Sequence, residues 1–455
     1  MSAVLALSAL LVPLALLVAL AWRGVSVLLL APAAAMLGAV MAGEPAFAML
    51  TLRALPAAGD FAAAYLPLFL LGAVFGRVMA ASGAARILAL AIARAVGPSR
   101  AVAAVTLAAA ALTYGGVSLF VVAFAVAPLA EASFRAAALP RRLIPAAIAL
   151  GAFTFTMTAL PGSPAIQNAI PMPYFGTTAF AAPGIGLVAG AIMLLGGLAW
   201  LGFAARQGRG GAAEAPPEIE RQAPRAVAAA AAPVVAVLGL NLLFSTVLLP
   251  ALDLGYLAQP RWGASPEDVI GLWSLIAALA LAVALAVLLF ARSLAAPLAE
   301  MSRGAEACLT PLFNTAALVG FGAAAASLPG FALMRDALES APGGPVVSVA
   351  LSAGALAGIT GSASGGMSIA LEALGATWLA DAAAAGVDPA LLHRIVALAT
   401  GGLDALPHNG AVVTLLGITG LGHREAYGPI FAVAVAIPLA ALAAAIALGS
   451  AFGAF

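Results

Sequence analysis

Lysine is missing from this chain altogether, so its 19 basic residues are all arginine, and charged residues of either sign make up only 8% of the 455. A formal net charge of +1 gives a polyanion little to hold, which argues against a nucleic-acid partner. Cysteine occurs once, at Cys308, so there is neither a disulfide framework nor a cysteine-based metal site. Histidine occurs three times, and the chain has no HExxH, nucleophile elbow or Walker motif. No enzyme, cofactor or metal is expected.

What fills the chain instead is apolar. Hydrophobic residues make up 64%, with a mean hydropathy of +1.13, the composition of an all-α polytopic membrane protein whose solvent is the lipid bilayer. The first apolar run, Leu5 to Trp22, lacks the basic start and small-residue cleavage site of a signal peptide and reads as a retained helix. The longest polar stretch is a linker at about 206–225.

Runs long enough to span the hydrocarbon layer fall at about 2–21, 25–42, 60–80, 184–205, 226–250, 269–291, 308–330 and 426–450. Two more, about 143–174 and 390–418, carry helix-breaking Pro/Gly phrases and read as broken helices. Two others, about 101–132 and 346–380, are apolar at both ends with a Gly/Ser knot between, and each half is too short to cross; they read as re-entrant hairpins. With the N-terminus outside, fifteen arginines fall inside and four (Arg53, Arg261, Arg335 and Arg394) outside, which supports about ten crossings plus two hairpins. Ala84 to Val96 and Phe331 to Ser340 suit helices lying along the membrane surface.

Three phrases return in order. Pro67-Leu68-Phe69 matches Pro311-Leu312-Phe313 at an offset of 244; Gly115-Gly116-Val117-Ser118 matches Gly365-Gly366-Met367-Ser368 at 250; Ala159-Leu160-Pro161 matches Ala405-Leu406-Pro407 at 246. Residues 1–205 and 226–455 are thus expected to be two inverted-topology repeats, joined by a cytoplasmic linker at 206–225.

The breakers mark the candidate binding site. Thr113, Gly115, Gly116 and Ser118 form the first hairpin tip, where a restarting helix aims unpaired N–H groups at mid-membrane and attracts a carboxylate without a cationic side chain. Ser362, Ser364, Gly365 and Gly366 form the second, with hydroxyls suited to a hydroxy-acid and carbonyls that could hold a cation. In the first break Gly162 precedes Ser163, read as an N-cap ahead of Pro164, with Gln167 and Asn168 in the new first turns. The second break holds Asp404, His408 and Asn409; ionisable residues at such depth are functional by default. Asp404 and His408 stand four positions apart and are the proton-coupling candidates. Histidine titrates near neutrality unperturbed, and a proton on Asp404 removes a charge that would repel an anion. Glu372 is also embedded, toward the outer end of the second hairpin.

On these phrases, and essentially over its whole length, the chain resembles the gluconate permease (GntP) family of the ion-transporter superfamily. The residues that carry the likeness are Leu112 to Ser118, Leu160 to Pro164 with Gln167 and Asn168, Gly361 to Gly366, and Leu406 to Gly410. The resemblance implies a secondary transporter of the bacterial inner membrane for small hydroxylated monocarboxylates such as gluconate or 3-hydroxybutyrate, coupled to protons. It also implies a homodimer whose hairpins ride in a mobile, elevator-type domain. Other readings of the same residues are a sodium-coupled carboxylate transporter and a cation/proton antiporter resting on Asp404.

Overall fold

In the computed structural model, which describes residues 2–455 apart from 22, 24, 98, 99, 118, 208–220, 334–342 and 408, the apolar runs are helical and the described residues contain no strand. Seven helices are long and apolar enough to cross a membrane: α1 (Ala3–Ala21), α3 (Ala46–Ala81), α11 (Pro183–Gln207), α12 (Pro224–Ala251), α13 (Pro266–Leu289), α14 (Pro297–Ala326) and α19 (His423–Phe452). The shorter α2 (Val27–Ala42) and the two broken helices bring the inventory to the expected ten.

Two spans begin earlier than hydropathy suggests. α3 starts at Ala46 rather than near 60, and α14 at Pro297 rather than near 308. Polar residues end the apolar run in each case, but the helix continues through them. In α14 the cause is visible: Glu300 accepts from Arg77 of α3 and from Arg303, both at 2.6 Å, and is thereby tolerated inside a helix. Gly304 lets the two helices touch there, since a Cβ would stand 2.8 Å from Val74 Cα.

Three spans contain one widened turn, at Leu50–Ala54, Phe244–Leu248 and Ala432–Ala436. Each ends two residues before a proline: Pro56, Pro250 and Pro438. Proline lacks the N–H and crowds the carbonyl four residues back, and a π-turn relieves the clash without breaking the span.

The hairpins form as expected. Hairpin one is α5 (Ala101–Tyr114) with α6 (Leu119–Ala136); hairpin two is α15 (Gly344–Thr360) with α16 (Ala363–Ala385). The surface helix α4 (Ala84–Val96) buries Leu88, Ala89 and Ala93 and exposes Arg86 and Arg94. Its expected counterpart at 331–340 lies mostly outside the described residues.

Broken helix one runs α7 (Ile144–Ala152), α8 (Phe155–Thr158), an irregular break, then α9 (Ile166–Ala169) and α10 (Pro171–Phe175). Broken helix two is α17 (Pro389–Leu403) and α18 (Gly410–Thr419). Apart from α4, the order of elements among the described residues is the same in 1–205 and 226–455. Packing repeats as well: α2 lies on α14 as α13 lies on α3, and α5 lies on α7 as α15 lies on α17.

The structure corrects the register of the repeat. Each hairpin turns on a glycine in the left-handed region, Gly116 (φ +92°) and Gly361 (φ +63°), an offset of 245 that agrees with 244 and 246 for the other two phrases. After Gly116 the Val117 N–H closes on Leu112 O; after Gly361 the Ser362 N–H closes on Ala357 O. Gly365 and Gly366, matched by sequence at an offset of 250, lie instead inside α16. Their job is close approach. A Cβ on Gly366 would stand 2.3 Å from Ala357 Cα, where the two arms cross.

Candidate functional site

Break one is the hub. Gly162 takes φ +79° and its N–H donates to Ala179 O at 2.8 Å, which turns the chain out of the helix after α8. Ser163 is fully buried; its hydroxyl donates to Thr156 O at 2.7 Å and accepts from Ala165 N–H at 3.3 Å. The N-cap position itself belongs to Ala165 rather than Ser163, because α9 starts at Ile166. Ser163 holds the approach to the restart.

Asn168 is also fully buried and fully used. Its amide N–H groups donate to Ser163 O (3.0 Å) and Ala179 O (2.9 Å), and its Oδ1 accepts from Arg394 Nη1 (3.1 Å) and His393 Nε2 (3.3 Å). Both donors and both acceptor sites are taken, so Asn168 has nothing left for a ligand. His393 Nδ1 faces the Thr177 hydroxyl at 2.6 Å.

Arg394 completes the knot and is the largest departure from the sequence reading. Counted among the outer-loop arginines, it is wholly buried one turn into α17. Nε donates to Ala181 O (3.1 Å), Nη1 to Thr158 O (2.9 Å) and Asn168 Oδ1, and Nη2 to Ala181 O (2.8 Å) and Ala179 O (3.4 Å). All five donors are occupied. Among the described residues no carboxylate forms an ion pair with it. Asp404 is ten residues along the same chain, about 15 Å in helical rise. A guanidinium satisfied by neutral oxygens keeps its charge, and break one is left locally cationic in low dielectric.

Both hairpins reach their own break. Tyr114 OH donates to Pro161 O at 2.6 Å, and a Cβ on Gly116 would lie 3.1 Å from Pro164 Cγ. Gly115 faces α12, where Val234 leaves no room for a side chain. At hairpin two, Asn409 Nδ2 donates to Gly361 O (2.9 Å) while its Oδ1 caps α18 through Ala411 N–H (2.6 Å) and Val412 N–H (3.1 Å). Ser163 and Asn409, related by the 246 offset, thus each accept from the backbone two residues on. The Asp404 carboxyl lies near Ala363, the first residue of α16. Ser362 caps α16 through Gly365 N–H at 3.1 Å, and the hydroxyls of Ser362, Ser364 and Thr315 of α14 form a chain with 3.4 Å steps. Ser118 and His408 lie outside the described residues.

Break one also touches hairpin two. α9 packs on α16, and Tyr174 of α10 donates to Glu372 Oε2 at 3.1 Å. Beside that contact an open cavity of about 520 Å³ separates α10 and α16 from α3 and α14; Arg53, Asp60 and Glu372 line it.

Among the described residues three buried side-chain atoms have no hydrogen-bond partner: Thr113 Oγ1, Gln167 Oε1 and Ser368 Oγ. All three belong to the hairpins and to break one.

This arrangement has relatives. The chain is 41% identical over 469 residues, 97% of its own length and 98% of the other's, to a Bacillus subtilis (strain 168) protein described as "Uncharacterized transporter YxjC". It belongs to the YxjC transporter family. No protein-family model matches the chain. In fold it is similar to the crystal structure of the Alcanivorax borkumensis YdaH transporter, described as having an unusual topology, with a TM-score of 0.53, 15% identity and 87% of each chain covered. The protein is a multi-pass membrane transporter.

In this YxjC-family transporter the sequence-expected residues divide by what their polar atoms are doing. Ser163 and Asn168 are consumed in holding break one, and Asn409 in joining hairpin two to break two. Thr113 and Gln167 are buried with an atom to spare. Arg394, His393, Tyr114, Thr315 and Ser368 were not among the site residues expected from the sequence. The first two had a signal available: adjacent ionisable residues inside the apolar stretch Leu391 to Leu398.

Proposed function

We propose that this transporter imports a small hydroxylated monocarboxylate of the gluconate or 3-hydroxybutyrate type by proton symport across a bacterial inner membrane. The observation that carries the anion is Arg394. A buried guanidinium without a carboxylate partner, beside a restarting helix, favours a ligand that brings one negative charge. The resemblance to gluconate permeases supplies the substrate class. The Ser362–Ser364–Thr315 hydroxyls give polar partners for a hydroxylated chain.

Importing an anion against an inside-negative potential costs about 2.3 kcal/mol per charge per 100 mV, so at least one cation must accompany it. Asp404, with His408 near it in sequence, is the proposed proton carrier. The hairpins and broken helices would move as one body against α1–α3 and α12–α14, the open cavity beside Tyr174 being the outer approach. A homodimer is the assembly that the resemblance to gluconate permeases implies.

The test is uptake of labelled gluconate and 3-hydroxybutyrate into proteoliposomes under an imposed pH gradient, with and without sodium. Accumulation that collapses with the pH gradient and ignores sodium supports proton symport. Accumulation that follows sodium replaces the coupling ion, and transport of cations without either acid replaces the reading with an antiporter.

A further inference from the structure

Serine and threonine within membrane helices ordinarily donate to the carbonyl four residues back, which costs no partner elsewhere. This chain follows the habit closely. Ser352 donates to Ser348 O, Thr360 to Leu356 O, Thr400 to Val396 O and Thr414 to Gly410 O, all between 2.7 and 2.9 Å. Thr113 and Ser368 sit in helices where the same bond is on offer, yet neither hydroxyl has a partner, and both are at least nine-tenths buried. Gln167, 7% exposed, likewise leaves Oε1 unmatched.

The three positions converge on break one. Tyr174 meets α16 at Glu372 and Gly375. Gln167 lies seven residues before Tyr174, and Ser368 seven before Gly375. On the topology expected from the sequence both elements run outward from mid-membrane, and with α9 packed on α16 this gives Gln167 and Ser368 a similar depth. Thr113 lies three residues before Gly116, whose neighbour across the gap is Pro164, three residues before Gln167.

We propose that Thr113, Gln167 and Ser368 form the subsite that recognises the hydroxyl group of the carried acid. Gln167 Oε1 is an acceptor only and takes the proton of the substrate hydroxyl. The Ser368 and Thr113 hydroxyls donate to oxygens of the same ligand. The charge of Arg394 selects the anion, and these three atoms select a hydroxylated one over its deoxy analogue. A site with buried polar atoms waiting for a partner rejects the analogue that leaves them unpaired. The proposal rests on the carboxylate reading above and adds a specificity determinant, Ser368, to it.

The test uses the full chain, purified, with 3-hydroxybutyrate and butyrate as probes, read by binding and by uptake. The parent protein should prefer 3-hydroxybutyrate by at least about tenfold. Ser368→Ala and Gln167→Met should each cut that preference by roughly three- to tenfold while butyrate affinity stays put. The ligand-free melting temperature should hold or rise in Ser368→Ala, because deleting an unpartnered buried hydroxyl removes a cost rather than a bond. Thr113→Ser, which keeps the hydroxyl, should keep the preference. A preference unchanged in both variants, with uptake intact, overturns the subsite alone. So does a melting temperature that falls in Ser368→Ala with equal loss for both probes, which would mark a structural or water-held hydroxyl. A parent protein that takes up neither acid overturns the carboxylate reading, and the subsite with it.

Discussion

Arg394 Nη1 stands 3.1 Å from Asn168 Oδ1, although 226 residues separate them in the chain. That contact fastens the second broken helix to the first. Two of the Arg394 acceptors, Thr158 O and Ala181 O, are backbone carbonyls that the turn after α8 would otherwise leave without a donor, and Arg394 shares a third, Ala179 O, with Gly162 N–H and Asn168.

The first prediction follows from counting donors. Arg394→Lys keeps the charge but offers three N–H groups from a single atom, which cannot reach all four acceptors. Each buried acceptor left unmatched costs about 1–3 kcal/mol, so the melting temperature in detergent should fall by roughly 5 °C or more. A variant that melts with the parent would mean the network does not hold the break.

Much of the architecture was legible, and the reason is the lipid. A helix that must bury its own backbone and face hydrocarbon writes itself as an apolar run, and a hairpin tip writes itself as Gly and Ser within one. Span starts failed where charge continued the helix, as at Asp60 and Glu300, because hydropathy reads charge as loop. Arg394 failed for the same reason: the positive-inside count takes every arginine for a loop residue, and only tertiary contacts reveal one satisfied by carbonyls. The repeat register slipped at hairpin two because Gly and Ser are so dense there that Gly365-Gly366 imitated the turn made by Gly361. Which polar residues bind and which merely hold was not legible at all. Ser163 and Gln167 are both polar residues of one break, and only the fold shows that the Ser163 hydroxyl has Thr156 O to donate to while Gln167 Oε1 has no donor within reach.

The second prediction concerns orientation. With Cys308 replaced by alanine, single cysteines at Ala223 and Ala251, at either end of α12, should react with an impermeant maleimide from opposite sides. Ala223→Cys should label from the cytoplasm and Ala251→Cys from outside. Labelling of both from one side of right-side-out vesicles would remove the ten-crossing arrangement.

The third prediction separates two tasks of Asn409. Asn409→Asp keeps the oxygen that caps α18 but loses the amide that donates to Gly361 O, and sets a carboxylate against that carbonyl. Stability should fall by about 1–3 kcal/mol, and amide hydrogen exchange at 361–366 should quicken. Asn409→Ala loses the cap as well and should cost about 1 kcal/mol more. Equal exchange in the aspartate variant and the parent would show that the tip is held by something else.

The last prediction concerns energy coupling. Asp404 closes α17, and its carboxyl lies near Ala363 at the N-terminus of α16, where the helix dipole favours an anion. A substrate carboxylate approaching that helix end meets an acid already placed there. Two negative groups at one N-terminus repel strongly in low dielectric, so substrate entry favours a proton on Asp404. Departure of the substrate toward the cytoplasm removes the repulsion, and the carboxylate can return to Ala363 as it gives up the proton. Asp404→Asn fixes the group neutral, with its geometry nearly kept. The variant should still exchange labelled for unlabelled substrate between equilibrated compartments, yet fail to accumulate it against a gradient when protons are supplied. Proton-driven accumulation at the parent's level would take Asp404 out of the coupling step and pass the role to His408, Glu372 or a sodium ion.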